Sequence, residues 1–335
     1  SSPSIIVTGK DPLDQSTPLI VSYELAAKKS KELKKMKFGM VVCDESHYLK
    51  SHKAKRTKNI TPLVKSIPKA LLLTGTPALN RPVEIFPQAH MLCSSLFPKY
   101  RSFTERYCDG KMSPIGFYDA SGSSNSFELT WLLKKVLMIR RLKRDVLKDL
   151  PDKIRSEIHV PLKKTKEVRA MVPKFKRWKQ LNEDIPKMVP CSDEVKKAAF
   201  ERKTIISELF RMTAFAKVEV VKKIVKDMVD QGTKFIVFCF RKALMDAVEE
   251  VCDSYIRIDG STPQVKRQEY VDQFQTGGAQ VAILSLLAAS TGLTLTASST
   301  MLFAELYFVP GTILQAEDRI HRISQRNTCD IRYLI

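Results

Sequence analysis

The chain has 335 residues, 44% hydrophobic and 27% charged, which is enough for two cores and typical of a globular protein. No apolar run approaches the roughly 18 residues of a membrane helix and the N-terminus lacks a signal-peptide pattern, which argues against a membrane protein. The formal net charge of +20 divides into +13 over residues 1–150, +7 over 151–215 and zero over 216–335, the footprint of a polyanion binder unless the clusters are only solvated helix faces.

Seven cysteines without a Cys-x-x-Cys pair fit neither a zinc site nor a disulfide framework. Reduced, buried thiols in an intracellular protein are the simpler account. The chain begins Ser-Ser-Pro-Ser and ends in an apolar run, so it is expected to be a piece of something longer.

In chain order, residues 5–8 and 19–22 read as short strands and 24–36 as a lysine-rich helix. The run 38–43 ends abruptly at Asp44-Glu45-Ser46-His47. An apolar run without polar alternation fits a strand buried on both faces of a parallel sheet, which would put the two acids at a strand tip. Residues 54–66 read as a basic helix, and 70–73 as a second buried strand running into Thr74-Gly75-Thr76-Pro77. Residues 80–108 are helical with prolines as punctuation, 109–126 a loop, and 127–147 a helix carrying Arg140-Arg141-Leu142-Lys143-Arg144. Residues 163–215 read as a linker with a helical protrusion. A second α/β pattern follows: a helix at 217–231 capped by Gly232, strands at 235–240, 255–258, 281–285, 301–304 and 331–335, and helices at 241–252, 264–274 and 312–322. Strands alternating with helices predict α/β architecture with doubly wound parallel sheets. The expected division is 1–150, then 151–215 as linker and helical protrusion, then 216–335.

Three stretches carry chemistry. In nucleotide hydrolases the first acid of a strand-tip pair holds Mg2+ and the second orients or deprotonates the attacking water. Asp44 and Glu45 fit that pattern, or are solvated loop charges. Thr74 to Pro77 puts two hydroxyls and a glycine near the acids, or is a proline-terminated turn. Gln315 to Arg322 places Arg319 and Arg322 three apart on one helical face, or forms a stripe of ion pairs with Glu317 and Asp318.

Taken together and in order, these motifs resemble the Swi/Snf-type branch of superfamily two helicases. Asp44–His47 matches the second helicase motif and residues 72–77 the third. Residues 140–143 with Val146, Leu150-Pro151 and Lys153 are similar to the family's signature at the end of the first protrusion. Residues 235–240 and 258–262 resemble the motifs opening the second lobe, 288–295 the fifth motif and 315–325 the sixth. Within the family, residues 77–82, 107–111, 121–125 and 303–307 are similar to the HepA-related annealing-helicase branch rather than to nucleosome remodellers.

The resemblance implies two RecA-like lobes with helical protrusions, the first truncated at its N-terminus. It further implies ATP and Mg2+ as cofactors, double-stranded and branched DNA as partners, a nuclear location, and replication and repair proteins reached through domains outside this chain. Asp44 would hold Mg2+ through water, Glu45 would activate the attacking water, and Arg319 and Arg322 would act as arginine fingers. Gly292 and Gln315 would complete the nucleotide-sensing face. Thr74 and Thr76 would couple that site to DNA, and His47 would do so too or is a structurally satisfied histidine. Ser22, Tyr23, Arg140, Arg141 and Lys143 would meet the phosphate backbone.

Two departures stand out. No Gly-Lys-Thr phosphate loop occurs, so these residues alone are expected to bind ATP poorly and hardly to hydrolyse it. Ser290 and Ser324 stand where relatives often carry other small residues. A nucleosome remodeller, an Asp-Glu-x-His RNA helicase and a non-catalytic DNA-binding fragment are the alternatives.

Overall fold

The computed structural model describes residues 3–6, 8–14, 16–161, 165–288 and 292–335. The chain divides into two compact units, Ser1–Met112 with Tyr118–Arg140, and Ser113–Phe117 with Arg141–Ile335.

The first unit contains β1 (Ser4–Ile6), β2 (Leu19–Val21), α1 (Tyr23–Lys28), α2 (Ser30–Lys35), β3 (Met40–Cys43), α3 (Lys55–Lys65) and β4 (Lys69–Leu72). After these come α4 (Phe86–Leu92), α5 (Tyr100–Tyr107), the hairpin β5 (Lys111–Met112) and β6 (Tyr118–Asp119), and α6 (Ser126–Val136). β3 and β4 pair in parallel, Met40 opposite Lys69 through Cys43 opposite Leu72. Ala26, Ala27 and Leu33 join Ile60, Leu63 and Val64 of α3 in one core with Cys43 and Leu49. These helices cover only one face. On the other, Met40 and Val42 are each 52% exposed, which corrects the expectation of a strand buried on both faces. The run is apolar throughout, but only alternate side chains find a partner. A second cluster joins Phe86, Phe97, Phe103, Tyr107, Leu129 and Leu133.

The second unit holds α7 (Lys143–Val146), β7 (Lys153–Ile158), α8 (Lys166–Asp184), α9 (Asp193–Asp230), β8 (Phe235–Cys239), α10 (Lys242–Glu249), β9 (Tyr255–Ile258), α11 (Gln264–Gln275), β10 (Val281–Ser285), β11 (Thr300–Phe303), α12 (Pro310–Glu317) and β12 (Cys329–Leu334). Its sheet has six parallel strands in the order β7-β12-β11-β8-β10-β9. Alternate residues of β8 serve opposite cores. Ile236 and Phe238 pack with Val271, Phe274 and Ile320, while Phe235 and Val237 pack with Val221, Val225, Leu244 and Val248. This is α/β architecture with helices on both faces of a parallel sheet, as the alternating pattern predicts.

Three local expectations fail. β7 lies where a linker was expected, and it completes the edge of the sheet against β12. α9 runs unbroken through residues 215–217, started by Ser192, whose hydroxyl accepts from the Val195 N–H at 3.2 Å. The helix from 126 ends at Val136, leaving Arg140 and Arg141 in irregular chain. None of the helices among the described residues is long and apolar enough to cross a membrane.

Candidate functional site

Asp44 and Glu45 follow the last residue of β3, as the abrupt end of the apolar run predicts. Asp44 is exposed, and its Oδ1 accepts from the Glu45 N–H at 2.9 Å. Glu45 sits in the left-handed region (φ 47°, ψ 48°), a backbone that costs a residue with a Cβ about 1–2 kcal/mol. Several bonds hold the turn in place. Leu73 N–H donates to Cys43 O at 2.9 Å, Ser46 N–H to Leu73 O at 2.8 Å, and Tyr48 N–H to Glu45 O at 3.0 Å. The Tyr23 hydroxyl donates to Asp44 O at 2.6 Å. Burial first, then the neighbouring Cys43 and the acids, push the Tyr23 pKa up, so the phenol stays a donor.

The same bonds bring Thr74 to the acids. His47 is buried, with Nδ1 3.1 Å from Glu45 Oε2 and 3.3 Å from Thr74 Oγ1. Thr74 Oγ1 also accepts from Thr76 N–H at 3.1 Å. Gln88 provides a link the sequence reading missed. Its Oε1 accepts from the Ser46 hydroxyl at 2.8 Å, and its Nε2 donates to Pro77 O at 2.9 Å. A buried amide bonded at both ends ties the two strand tips together. Its one sequence signal is a polar residue inside the otherwise apolar run 85–89.

The donor set suits a hard cation. No cluster of three or more His, Cys, Asp or Glu among the described residues could cage a metal. A cation held at an exposed aspartate would therefore keep water and ligand oxygens in its shell, as Mg2+ does.

In the second unit α12 ends at Glu317, so Arg319 and Arg322 lie beyond it in tight turns, not on one helical face as expected. The helical pattern gives way to short bonds, Ile320 N–H to Glu317 O at 3.3 Å and Arg322 N–H to Ile320 O at 3.2 Å. Arg319 is 3% exposed and its Nη1 donates to Leu293 O at 3.4 Å. Arg322 is half-buried; Nη1 donates to Thr294 Oγ1 at 2.7 Å and Nε to Asp318 O at 3.2 Å. Gln315 is half-buried on α12, and Gly292 is exposed with φ +44°. Residues 289–291 of the expected fifth motif, Ser290 included, lie outside the described residues. Ser324 Oγ is 3.0 Å from Thr296 Oγ1.

The expected phosphate contacts divide. Arg140 and Arg141 are exposed, with no carboxylate paired to either among the described residues. Ser22 is the N-cap of α1 and accepts from Leu25 N–H at 3.3 Å. Lys143 is committed to Asp318 at 2.9 Å and to His321 O at 2.8 Å. In the ion-pair alternative for 315–322 Glu317 and Asp318 would pair with these arginines in a solvated stripe; instead the two acids pair with Lys143, Lys153 and Arg155, and the arginines bond to backbone and hydroxyl oxygens.

A family model described as SNF2-related domain matches residues 10–189, and one described as Helicase conserved C-terminal domain matches residues 216–324. The SWI/SNF-related matrix-associated actin-dependent regulator of chromatin subfamily A-like protein 1 of Xenopus tropicalis is 38% identical over 100% of this chain and 35% of its own length. The DNA annealing helicase and endonuclease ZRANB3 of Mus musculus is 41% identical over 89% of this chain and 28% of its own. The chain therefore spans about a third of the length of the curated relatives it matches. With more than half of its residues inside the first of these domain models, the chain belongs to the SNF2-related family.

Proposed function

We propose that the intact protein is an ATP-dependent translocase on double-stranded DNA that reanneals strands and remodels branched DNA such as stalled forks, in the nucleus. The observation that carries this reading is the pair of strand tips after β3 and β4. There Asp44, Glu45, His47 and Thr74 form one bonded unit, in a chain 41% identical to a protein named as an annealing helicase. Asp44 would bind Mg2+ through water, and the bound ion would neutralise charge on the phosphates. Glu45 orients the attacking water and takes its proton. His47 and Thr74 join that carboxylate to the turn at Thr76, which supports a coupling role for all three.

Arg322 is the proposed arginine finger. Arg319 would have to leave the Leu293 carbonyl and its burial to reach a phosphate, so it serves as the supporting cation. An arginine finger contributes about 10³–10⁵ in rate, or roughly 4–7 kcal/mol of barrier. Gln315 and Gly292 belong to the same nucleotide-facing side. Arg140 and Arg141 are proposed at the phosphate backbone, a task that suits exposed arginines, whereas the Tyr23 hydroxyl is committed to Asp44 O. With no Gly-Lys-Thr loop among them, these 335 residues by themselves would bind ATP weakly and turn it over hardly at all.

In the intact protein Glu45→Gln is expected to abolish DNA-stimulated hydrolysis while sparing ATP binding. Ordinary turnover in that variant removes the base assignment. Stimulation by RNA in place of branched DNA would instead make the protein an RNA helicase.

A further inference from the structure

Glu317, 1% exposed, closes α12 directly before the arginine segment. Its carboxylate receives Arg155 Nε at 3.0 Å and Nη2 at 2.7 Å, Lys153 Nζ at 2.7 Å, and the Tyr333 hydroxyl. A two-point guanidinium fork fixes orientation as well as distance. Asp318 receives Lys143 Nζ at 2.9 Å and Lys153 Nζ at 3.4 Å. Lys143 also donates to His321 O, and His321 Nε2 donates to Pro151 O, both at 2.8 Å. Burial pushes the Glu317 pKa up, but the bonds from Arg155, Lys153 and Tyr333 outweigh it and hold the carboxyl below its ordinary range.

We propose that Glu317 is a positioning residue. Fastened to Lys153 and Arg155 on β7 and to Tyr333 on β12, it fixes where the segment carrying Arg319 and Arg322 stands. Lys143 steadies the same segment through Asp318 and the His321 carbonyl. The inference rests on the reading of Arg322 as the finger. Its physical ground is that a buried ion cluster adds little stability over apolar packing of equal volume, whereas directed charge pairs define a single geometry. All the bracing cations come from residues 143–155, just after the chain enters this unit at Arg141. A pull on that stretch reaches the finger segment through two lysines and an arginine.

The test uses the intact protein, reading turnover at saturating DNA, KM for ATP, and amide exchange without nucleotide. Glu317→Gln is expected to lower kcat about tenfold with KM changed less than about twofold, and to speed exchange over 319–325 by about tenfold. Arg322→Ala is expected to cut turnover by about 10³ or more. Because Glu317 acts through Arg322, the double variant is expected to be no slower than Arg322→Ala alone. A further tenfold loss in the double variant, or unchanged exchange in Glu317→Gln, overturns the proposal. Should Glu317→Gln not fold, Lys143→Ala alters a side chain 40% exposed and is expected to lower kcat about threefold at unchanged melting temperature. Normal kcat there overturns it as well. If Arg322→Ala turns over normally, the finger reading and this inference fall together. If Arg322→Ala is slow while Glu317→Gln is normal, only this inference fails.

Discussion

In β8 every side chain from Phe235 to Cys239 is buried, whereas in β3 only Cys43 is buried while Met40 and Val42 stand half in solvent. Both strands are short and apolar, and both belong to parallel pairs. They differ in the layers around them: β8 lies between two cores and β3 has helices on one side. A strand's contribution to stability is thus set by the layers packed on it, and its hydrophobicity alone does not determine that contribution.

Single side-chain truncations in the two units test this dependence on packed layers. Phe238→Ala is expected to destabilise the second unit by about 3–5 kcal/mol in denaturant unfolding, since its ring is fully buried against Phe303. A loss under about 1 kcal/mol would mean that this core is loosely packed. In the first unit the larger cost should come from a polar link. Ser46→Ala strands the buried Gln88 Oε1 and is expected to cost about 1–3 kcal/mol. If Ser46→Ala proves neutral, the Gln88 link does not hold the strand tips together.

A smaller difference should appear with pH. Burial lowers the His321 pKa, as do Lys153 and Lys143, against the opposing pull of the Pro151 carbonyl and Asp318. The unfolded chain therefore takes up a proton near its ordinary value of about 6.5 that the native imidazole still refuses. Stability of the second unit should decline as pH falls through that value, and His321→Gln should flatten the decline. An identical pH profile in His321→Gln would mean that His321 does not set this decline. The smallest expected effect is at Val42→Ala, within about 0.5 kcal/mol because the side chain is already half in water. A loss above about 2 kcal/mol would show that this face is covered in solution.

What could be read from the sequence follows from the range of the forces involved. The strand tip at Asp44 was legible because an apolar run and its polar end are neighbours in the chain. The expectation of burial on both faces failed at 40–43 although the equally apolar run 235–239 is buried throughout, since residues within a run say nothing of which faces are covered. Residues 163–215 read as a linker with a helical protrusion; the protrusion's helices are there, α8 continuing through Pro173, but α9 crosses the expected break at 215–217. The arginine segment is legible but reads as helix, because local periodicity does not register the tertiary bonds from Lys143, Lys153 and Arg155 that take over between Glu317 and His321. Those partners are remote in sequence and meet only when β7 docks beside β12.

The 38 residues of α9 contain no glycine or proline, the usual causes of a sharp kink. At 1.5 Å per residue the helix runs roughly 57 Å. One end of this span packs with Leu181 and Ile185, and the other lies under Val237 and Leu302 of the sheet. A tilt of about 5° at the sheet end would swing the far tip by about 5 Å, given that length. α9 is in that sense a lever, able to turn a small rotation at the sheet into a stride at the opposite end.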